Sequence, residues 1–142
     1  GKHVQPAFAS TYYNQIGLGI DFTARDIQKQ CKEKGQPWEL AKGFDNSAVI
    51  GKFYDKSELD LEDLNFTLQK NGVEVQKGHV QDMLFSIDEI ICYLSKFFKL
   101  QKGDLIFTGT PEGVGPVSMD DCLEGFLSVG NQAESSFCFN VK

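Results

Sequence analysis

Four side chains between Leu18 and Ser47 could do chemistry together: Asp21, Arg25, Gln28 and Lys42, one carboxylate, one guanidinium, one carboxamide and one ammonium. Asp21 closes an apolar run just before residues that open a helix. A carboxylate so placed can ligate a hard divalent cation such as Mg²⁺ or Mn²⁺, or it can accept hydrogen bonds from the amides of the next helix turn. One carboxylate does not make a metal site, and no Glu-x-Glu or His-x-x-x-His precedes it among these residues. Arg25 and Gln28 lie three apart, so they share a helix face and can act on one target. An arginine beside the free N–H groups of a helix start makes a fork for a substrate carboxylate; it could equally be solvated or paired with Asp26. Lys42 stands between Ala41 and Gly43, with Trp38 and Phe44 close by. A lysine in such surroundings has a fixed anionic partner or a catalytic task. Its ammonium could stabilise the enolate that forms when a bond beside a ketone breaks.

A second stretch, Gly103-Asp-Leu-Ile-Phe-Thr-Gly-Thr-Pro-Glu-Gly-Val-Gly-Pro-Val117, reads as a strand over Asp104 to Thr108 opening into a turn rich in glycine and proline. Exposed amides around Gly109 and the Thr110 hydroxyl could grip a carboxylate or carbonyl, although such a turn can also be purely structural. It is not a phosphate loop, because the lysine and terminal Ser/Thr of that motif are absent and no helix follows. His3 and His79 are the only histidines, and neither accompanies a nucleophile in a Ser-His-Asp or Cys-His setting.

The elements that must position these groups follow from pattern. Ile16 to Phe22 is short, apolar and interrupted by glycine, which favours a buried strand. Thr23 is expected to cap a helix running to about Lys34, with Asp26 near its positive end and Gly35 and Pro37 ending it. Trp38 to Ser47 has no period and reads as an ordered loop, followed by a strand over Ile50 to Tyr54. Asn65 to Lys70 and Val73 to Lys77 alternate on either side of Asn71-Gly72, the signature of a β-hairpin. Ser86-Ile-Asp-Glu89 is a capping box ahead of an apolar stripe at helical spacing, so a core-packed helix is expected from Ile87 to Phe98. Two strands, near Leu123 to Val129 and Ser135 to Val141, close the chain. Gly1 to Gln15 holds no strong period. Short strands with two helices make a mostly β or α+β domain.

At 142 residues the chain fits one domain, residues 1–142, and its 41% hydrophobic and 24% charged content is that of a globular protein. Twenty acidic residues against 14 basic ones give a net charge of −6, which repels rather than attracts a phosphate backbone, so nucleic acid is not the expected partner. No apolar run reaches the length of a bilayer crossing and no basic-then-apolar signal opens the sequence, so a cytoplasmic location is expected. Cys31, Cys92, Cys122 and Cys138 lack the paired spacing of a zinc site and are expected to be buried free thiols.

Leu18 to Gln28, Gly35 to Ser47, Asp82-Met-Leu-Phe-Ser-Ile87 and Gly103 to Val117 together resemble the fumarylacetoacetate hydrolase family, in order and spacing, across nearly the whole chain. The resemblance implies a mixed β-sandwich or roll, usually a homodimer, with a divalent cation held by two glutamates of a Glu-x-Glu motif and one aspartate. It implies that Asp21 is that aspartate, Arg25 and Gln28 contact substrate, Lys42 is the active-site lysine, and Gly109 and Thr110 lie in the substrate-binding turn. The other metal ligands, and a lid segment whose histidine and glutamate activate water, are expected upstream of Gly1. The chain therefore resembles the carboxy-terminal part of a catalytic domain, and is expected to be inactive alone. The implied reaction is metal-assisted C–C cleavage in an acylpyruvate or fumarylpyruvate, small 2-oxo acids. Two alternatives stand beside it: an oxaloacetate-type decarboxylase or 2-hydroxyhepta-2,4-diene-1,7-dioate isomerase, which need only enolate stabilisation, and a metal-free interaction domain.

Overall fold

The computed structural model describes residues 1–129 and 132–142. It is an α+β arrangement, mostly sheet, built on two antiparallel sheets: β1 (Gln15–Asp21) with β2 (Ala48–Asp55), and a four-stranded sheet in the order β4-β3-β5-β6. The larger sheet comprises β3 (Asn65–Lys70), β4 (Val73–His79), β5 (Cys122–Val129) and β6 (Gln132–Asn140). The Asn71-Gly72 turn joins β3 and β4 as expected, with φ of 53° and 77°, the left-handed values a tight hairpin demands. Asn71 also fixes the sheet beside it: its side chain accepts from the Cys122 amide at 2.8 Å, and its own amide donates to the Cys122 carbonyl at 2.8 Å.

Among the described residues four α-helices accompany the strands: α1 (Pro6–Ala9), α2 (Arg25–Lys34), α3 (Glu39–Lys42) and α4 (Ile87–Leu94). In α4 the capping box forms as its sequence requires. Ser86 Oγ accepts from the Glu89 amide at 3.3 Å, and the Glu89 carboxylate accepts from the Ser86 amide at 2.8 Å, satisfying donors that a helix start otherwise leaves unpaired. The helix caps at Ser95 rather than running to Phe98, and the following residues continue as looser turns. Ser95 is held there by its surroundings: its hydroxyl donates to the Cys92 carbonyl and accepts from the Val4 amide, both at 2.9 Å.

Further expectations give way to tertiary context. Asp104 to Thr108 is not a strand. Its side chains serve two surroundings, with Ile106 packed against the cluster of Val4, Ala9 and Ile91 and Phe107 lying against Gly19, and the segment runs as irregular chain between them. The unpatterned amino-terminal residues contain α1, which the single turn Pro6–Ala9 is too short to betray as a period. Among the cysteines, all free, only Cys31 is buried; Cys138 is exposed on β6, one of the two outer strands of its sheet. No helix among the described residues is long and apolar enough to cross a membrane.

The core is divided. Tyr54, Leu59, Leu64 and Leu127 pack between the sheets, while Val4, Ala9 and Ile91 form a second cluster where α1 meets α4. Between them the sheets leave a deep cleft of about 1530 Å³. A monomeric protein of 15.8 kDa exposes about 7,300 Å² of surface. This chain exposes 9961 Å². Leu40, Leu84, Phe85 and Met119, apolar residues that sequence alone would place inside, are among those that stand in solvent.

Candidate active site

The cleft gathers groups from four parts of the chain. β1 delivers Asp21 at its last residue, α3 delivers Lys42 at its last residue, and the turn beyond residue 108 delivers Gly109 and Thr110; Arg25, the first residue of α2, lines the same space. These distant pieces meet because backbone bonds stitch them. The Phe22 amide donates to the Ser47 carbonyl at 2.7 Å and the Ala24 amide to the Ala41 carbonyl at 3.0 Å, so the segment leaving β1 is fastened to both ends of the segment carrying Lys42. Ala41 is wholly buried, and a larger residue there would push the two segments apart. Asn46, with φ of 62°, turns the chain back towards Ser47 at a position where asparagine is one of the few tolerant residues. Lys32 of α2 lies 4.9 Å over the Trp38 ring, closing the connection between α2 and α3.

Lys42 Nζ lies 2.5 Å from Asp21 Oδ2, with the two side chains 35% and 44% exposed. The fixed anionic partner that the surroundings of Lys42 call for is therefore Asp21. Arg25 and Gln28 share a face as their spacing requires, but in different roles: Arg25 Nη1 donates to Gln28 Oε1 at 3.1 Å, and Gln28, 6% exposed, stands behind the guanidinium rather than lining the cleft. Thr23 does not cap α2. Ala24 occupies the cap position with no side-chain bond, and the Thr23 hydroxyl turns back to the Asp21 carbonyl at 3.5 Å. The helix ends where expected, at Gly35 with φ of 62°. His79 is tied to Asp63 at 2.8 Å and accepts from the Gln81 amide, both contacts at the end of β4.

A hard divalent cation takes about six oxygen ligands. Among the described residues no three of His, Cys, Asp and Glu stand together as a metal cluster, and the nearest oxygen of Asp21 already meets an ammonium. By themselves these residues do not fit such an ion. What they do offer is a surface for a small anion: a guanidinium held by a buried amide, an ammonium held by a carboxylate, and a threonine hydroxyl, facing a space with largely apolar walls.

Gln76 on β4 was invisible to the sequence reading, although its side chain reaches the turn at Thr110. Its only signal is a carboxamide within a hairpin strand, which by itself reads as a solvated face.

Residues 1–137 match the family described as fumarylacetoacetate hydrolase, C-terminal. A mitochondrial oxaloacetate tautomerase of Mus musculus is 44% identical over 143 aligned residues, spanning 100% of this chain and 63% of that protein. The crystal structure of fumarylpyruvate hydrolase from Pseudomonas aeruginosa, in complex with Mn²⁺ and pyruvate, superposes with a TM-score of 0.84 at 38% identity, over 89% of this chain and 55% of that one. A 5-carboxymethyl-2-hydroxymuconate delta-isomerase from Mycobacterium smegmatis superposes at 0.80 with 31% identity, over 94% and 51%. This chain thus spans less than two thirds of the relatives it matches, and it belongs to the fumarylacetoacetate hydrolase family.

Proposed function

We propose that the cleft is part of an enzyme site that stabilises the enolate of a small 2-oxo acid, and that its reaction is keto–enol interconversion of an oxaloacetate-like dicarboxylate. The observation that carries this reading is the Lys42 ammonium, fixed 2.5 Å from Asp21 at the edge of the cleft that Arg25 and Thr110 also line. An oxo acid presents a carboxylate and an adjacent carbonyl. Arg25, held by Gln28, is the fork for the carboxylate; Gly109 and the Thr110 hydroxyl bind beside it; Lys42 faces the oxygen on which charge develops when a proton leaves the neighbouring carbon. A solvent base takes the proton from carbon and solvent returns one to the enolate oxygen, so the interconversion asks for no covalent nucleophile and, unlike hydrolysis, consumes no water. The name of the mouse relative supports this choice.

Hydrolytic C–C cleavage of an acylpyruvate is the second reading, supported by the fumarylpyruvate hydrolase whose structure holds Mn²⁺ and pyruvate. It needs an activated water in addition to the enolate-stabilising groups, and a divalent cation in this site would draw further oxygen ligands from residues outside this chain. A homodimer is proposed on the family resemblance alone.

The test follows the loss of the enol absorbance of oxaloacetate in the ultraviolet, and in parallel the cleavage of an acylpyruvate. Interconversion faster than buffer, lost in Arg25→Ala, supports the reading. A rate equal to buffer, or an Arg25→Ala variant as fast as the unsubstituted chain, overturns it for these 142 residues.

A further inference from the structure

Gln76 belongs to β4, the outer strand opposite β6 in the larger sheet, and its side chain crosses from there to the turn that carries Thr110. Nε2 lies 3.3 Å from Thr110 Oγ1, 3.1 Å from the Pro111 carbonyl oxygen and 3.3 Å from the Glu112 carbonyl oxygen. Two of these oxygens are carbonyls, which can only accept, so the NH₂ end of the carboxamide must face the turn. A threonine hydroxyl has one hydrogen to give and two lone pairs to receive. The NH₂ group has two hydrogens for these three oxygens, so one is shared; when a Gln76 N–H occupies a lone pair of Thr110 Oγ1, the hydroxyl hydrogen is left for another acceptor, and accepting one bond polarises the O–H for donating the next. A neighbouring contact holds the turn at the same place. Gly113, with φ of 93°, rests so closely on the Val75 carbonyl that a Cβ there would come within 2.1 Å of its oxygen.

We infer that Gln76 is a positioning residue: it presents the Thr110 hydroxyl as a hydrogen-bond donor to a carboxylate or carbonyl oxygen of the bound oxo acid while holding the turn against β4. The inference rests on the enolate-site reading above. It assigns specificity as well as position, because a donor hydroxyl favours an anionic or carbonyl oxygen over a ligand group that itself donates.

Gln76→Glu is the discriminating change. It keeps size and shape but replaces the donor with a carboxylate, which the Thr110 hydroxyl would turn to meet. Oxalate, a compact planar mimic of an enolised oxo acid, is the probe, titrated by calorimetry. Gln76→Glu is expected to weaken oxalate about tenfold, equivalent to about 1.4 kcal/mol, and Thr110→Val by a similar factor, while the double variant binds no more weakly than Thr110→Val alone. Restoring the donor with Gln76→Asn, one methylene shorter, is expected to recover part of the loss. Without ligand, amide hydrogen exchange at residues 112–113 is expected to quicken in Gln76→Glu and Gln76→Ala. Unchanged oxalate affinity in Gln76→Glu, or the same further loss when it is added to Thr110→Val, overturns the inference. So does unchanged exchange. The underlying reading fails separately, if Arg25→Ala and Lys42→Ala bind oxalate as tightly as the unsubstituted chain; if these two lose binding and Gln76→Glu does not, only the role of Gln76 falls. A chain that takes up no oxalate in any form overturns both.

Discussion

Replacing Lys42 with alanine separates structural from chemical roles, because the two predict losses of different size. The Lys42–Asp21 pair is short, 2.5 Å, but each side chain is more than a third open to solvent. In water, unit charges at that separation attract by about 1.7 kcal/mol before side-chain ordering and desolvation are subtracted. Measured values for exposed pairs fall at about 0.2–1 kcal/mol. Alanine at the last position of α3 brings no backbone conflict and costs no helix propensity. The expected loss of stability is therefore below about 1 kcal/mol, a shift in melting temperature of about 2–4 °C for a chain of this size. A group fixed where oxyanion charge develops contributes far more, about 2.7–4 kcal/mol, or 10²–10³ in rate. Lys42→Ala should thus melt within a few degrees of the unsubstituted protein by circular dichroism yet interconvert oxaloacetate tautomers at least about a hundredfold more slowly. A rate within about threefold of the unsubstituted protein removes Lys42 from the chemistry. A rate that falls only in step with the unfolded fraction makes it a structural residue.

Ser86→Ala removes the cap of α4 and the reciprocal bond to Glu89, and should cost about 1 kcal/mol in urea unfolding; no change in the midpoint would deny the capping box a stabilising role. Two carboxyls lie below the usual carboxylate range: Asp121, through the Ser118 amide first and the Asn71 side chain second, and Glu89, through the Ser86 amide and hydroxyl. Because their folded values are depressed, their stabilising contribution is complete above the ordinary carboxylate range and disappears as acid carries the pH down through it, from about pH 5 downwards. Asp121→Asn should flatten that acid limb in a urea titration repeated across pH, and an unaltered slope contradicts the assignment. Mn²⁺ added to this chain alone should give no saturating heat below about millimolar concentration, since Asp21 Oδ2 is already engaged by Lys42 and no three metal-ligating side chains cluster among the described residues; micromolar saturation would mean that further ligands stand within these residues.

Much of the framework was legible in residue pattern. The Asn71-Gly72 hairpin and the Ser86–Glu89 cap formed as read, because each depends on a few neighbouring residues whose local chemistry has one good solution. Asp104 to Thr108 misled, since a short apolar run favours a strand only where a neighbouring strand pairs with it, and here Leu105 and Phe107 stand about half exposed on unpaired, irregular chain. Thr23 misled for a related reason: its hydroxyl could cap α2, but the Ala24 bond to Ala41 settles the chain direction there and turns the hydroxyl towards Asp21. Leu84 and Met119 are apolar and stand outside, which no hydropathy argument within the chain could reveal.

The candidate site divides along the same line. Asp21, Arg25 and Lys42 could be proposed from sequence because charged groups at the ends of apolar or aromatic stretches are costly to leave without a task. That Lys42 is the partner of Asp21 depends on backbone bonds between segments about twenty residues apart in sequence, which spacing alone does not encode, and that Gln28 supports Arg25 instead of lining the cleft depends on its burial. Gln76 lies further still from Thr110, 34 residues away along the chain. A carboxamide carries no charge and therefore no desolvation penalty large enough to mark it in a sequence, yet its donor end sets the direction of a hydroxyl. The strongly charged members of such a site can thus be inferred from residue type, whereas the neutral ones that decide orientation emerge only when the turn is seen resting on the strand.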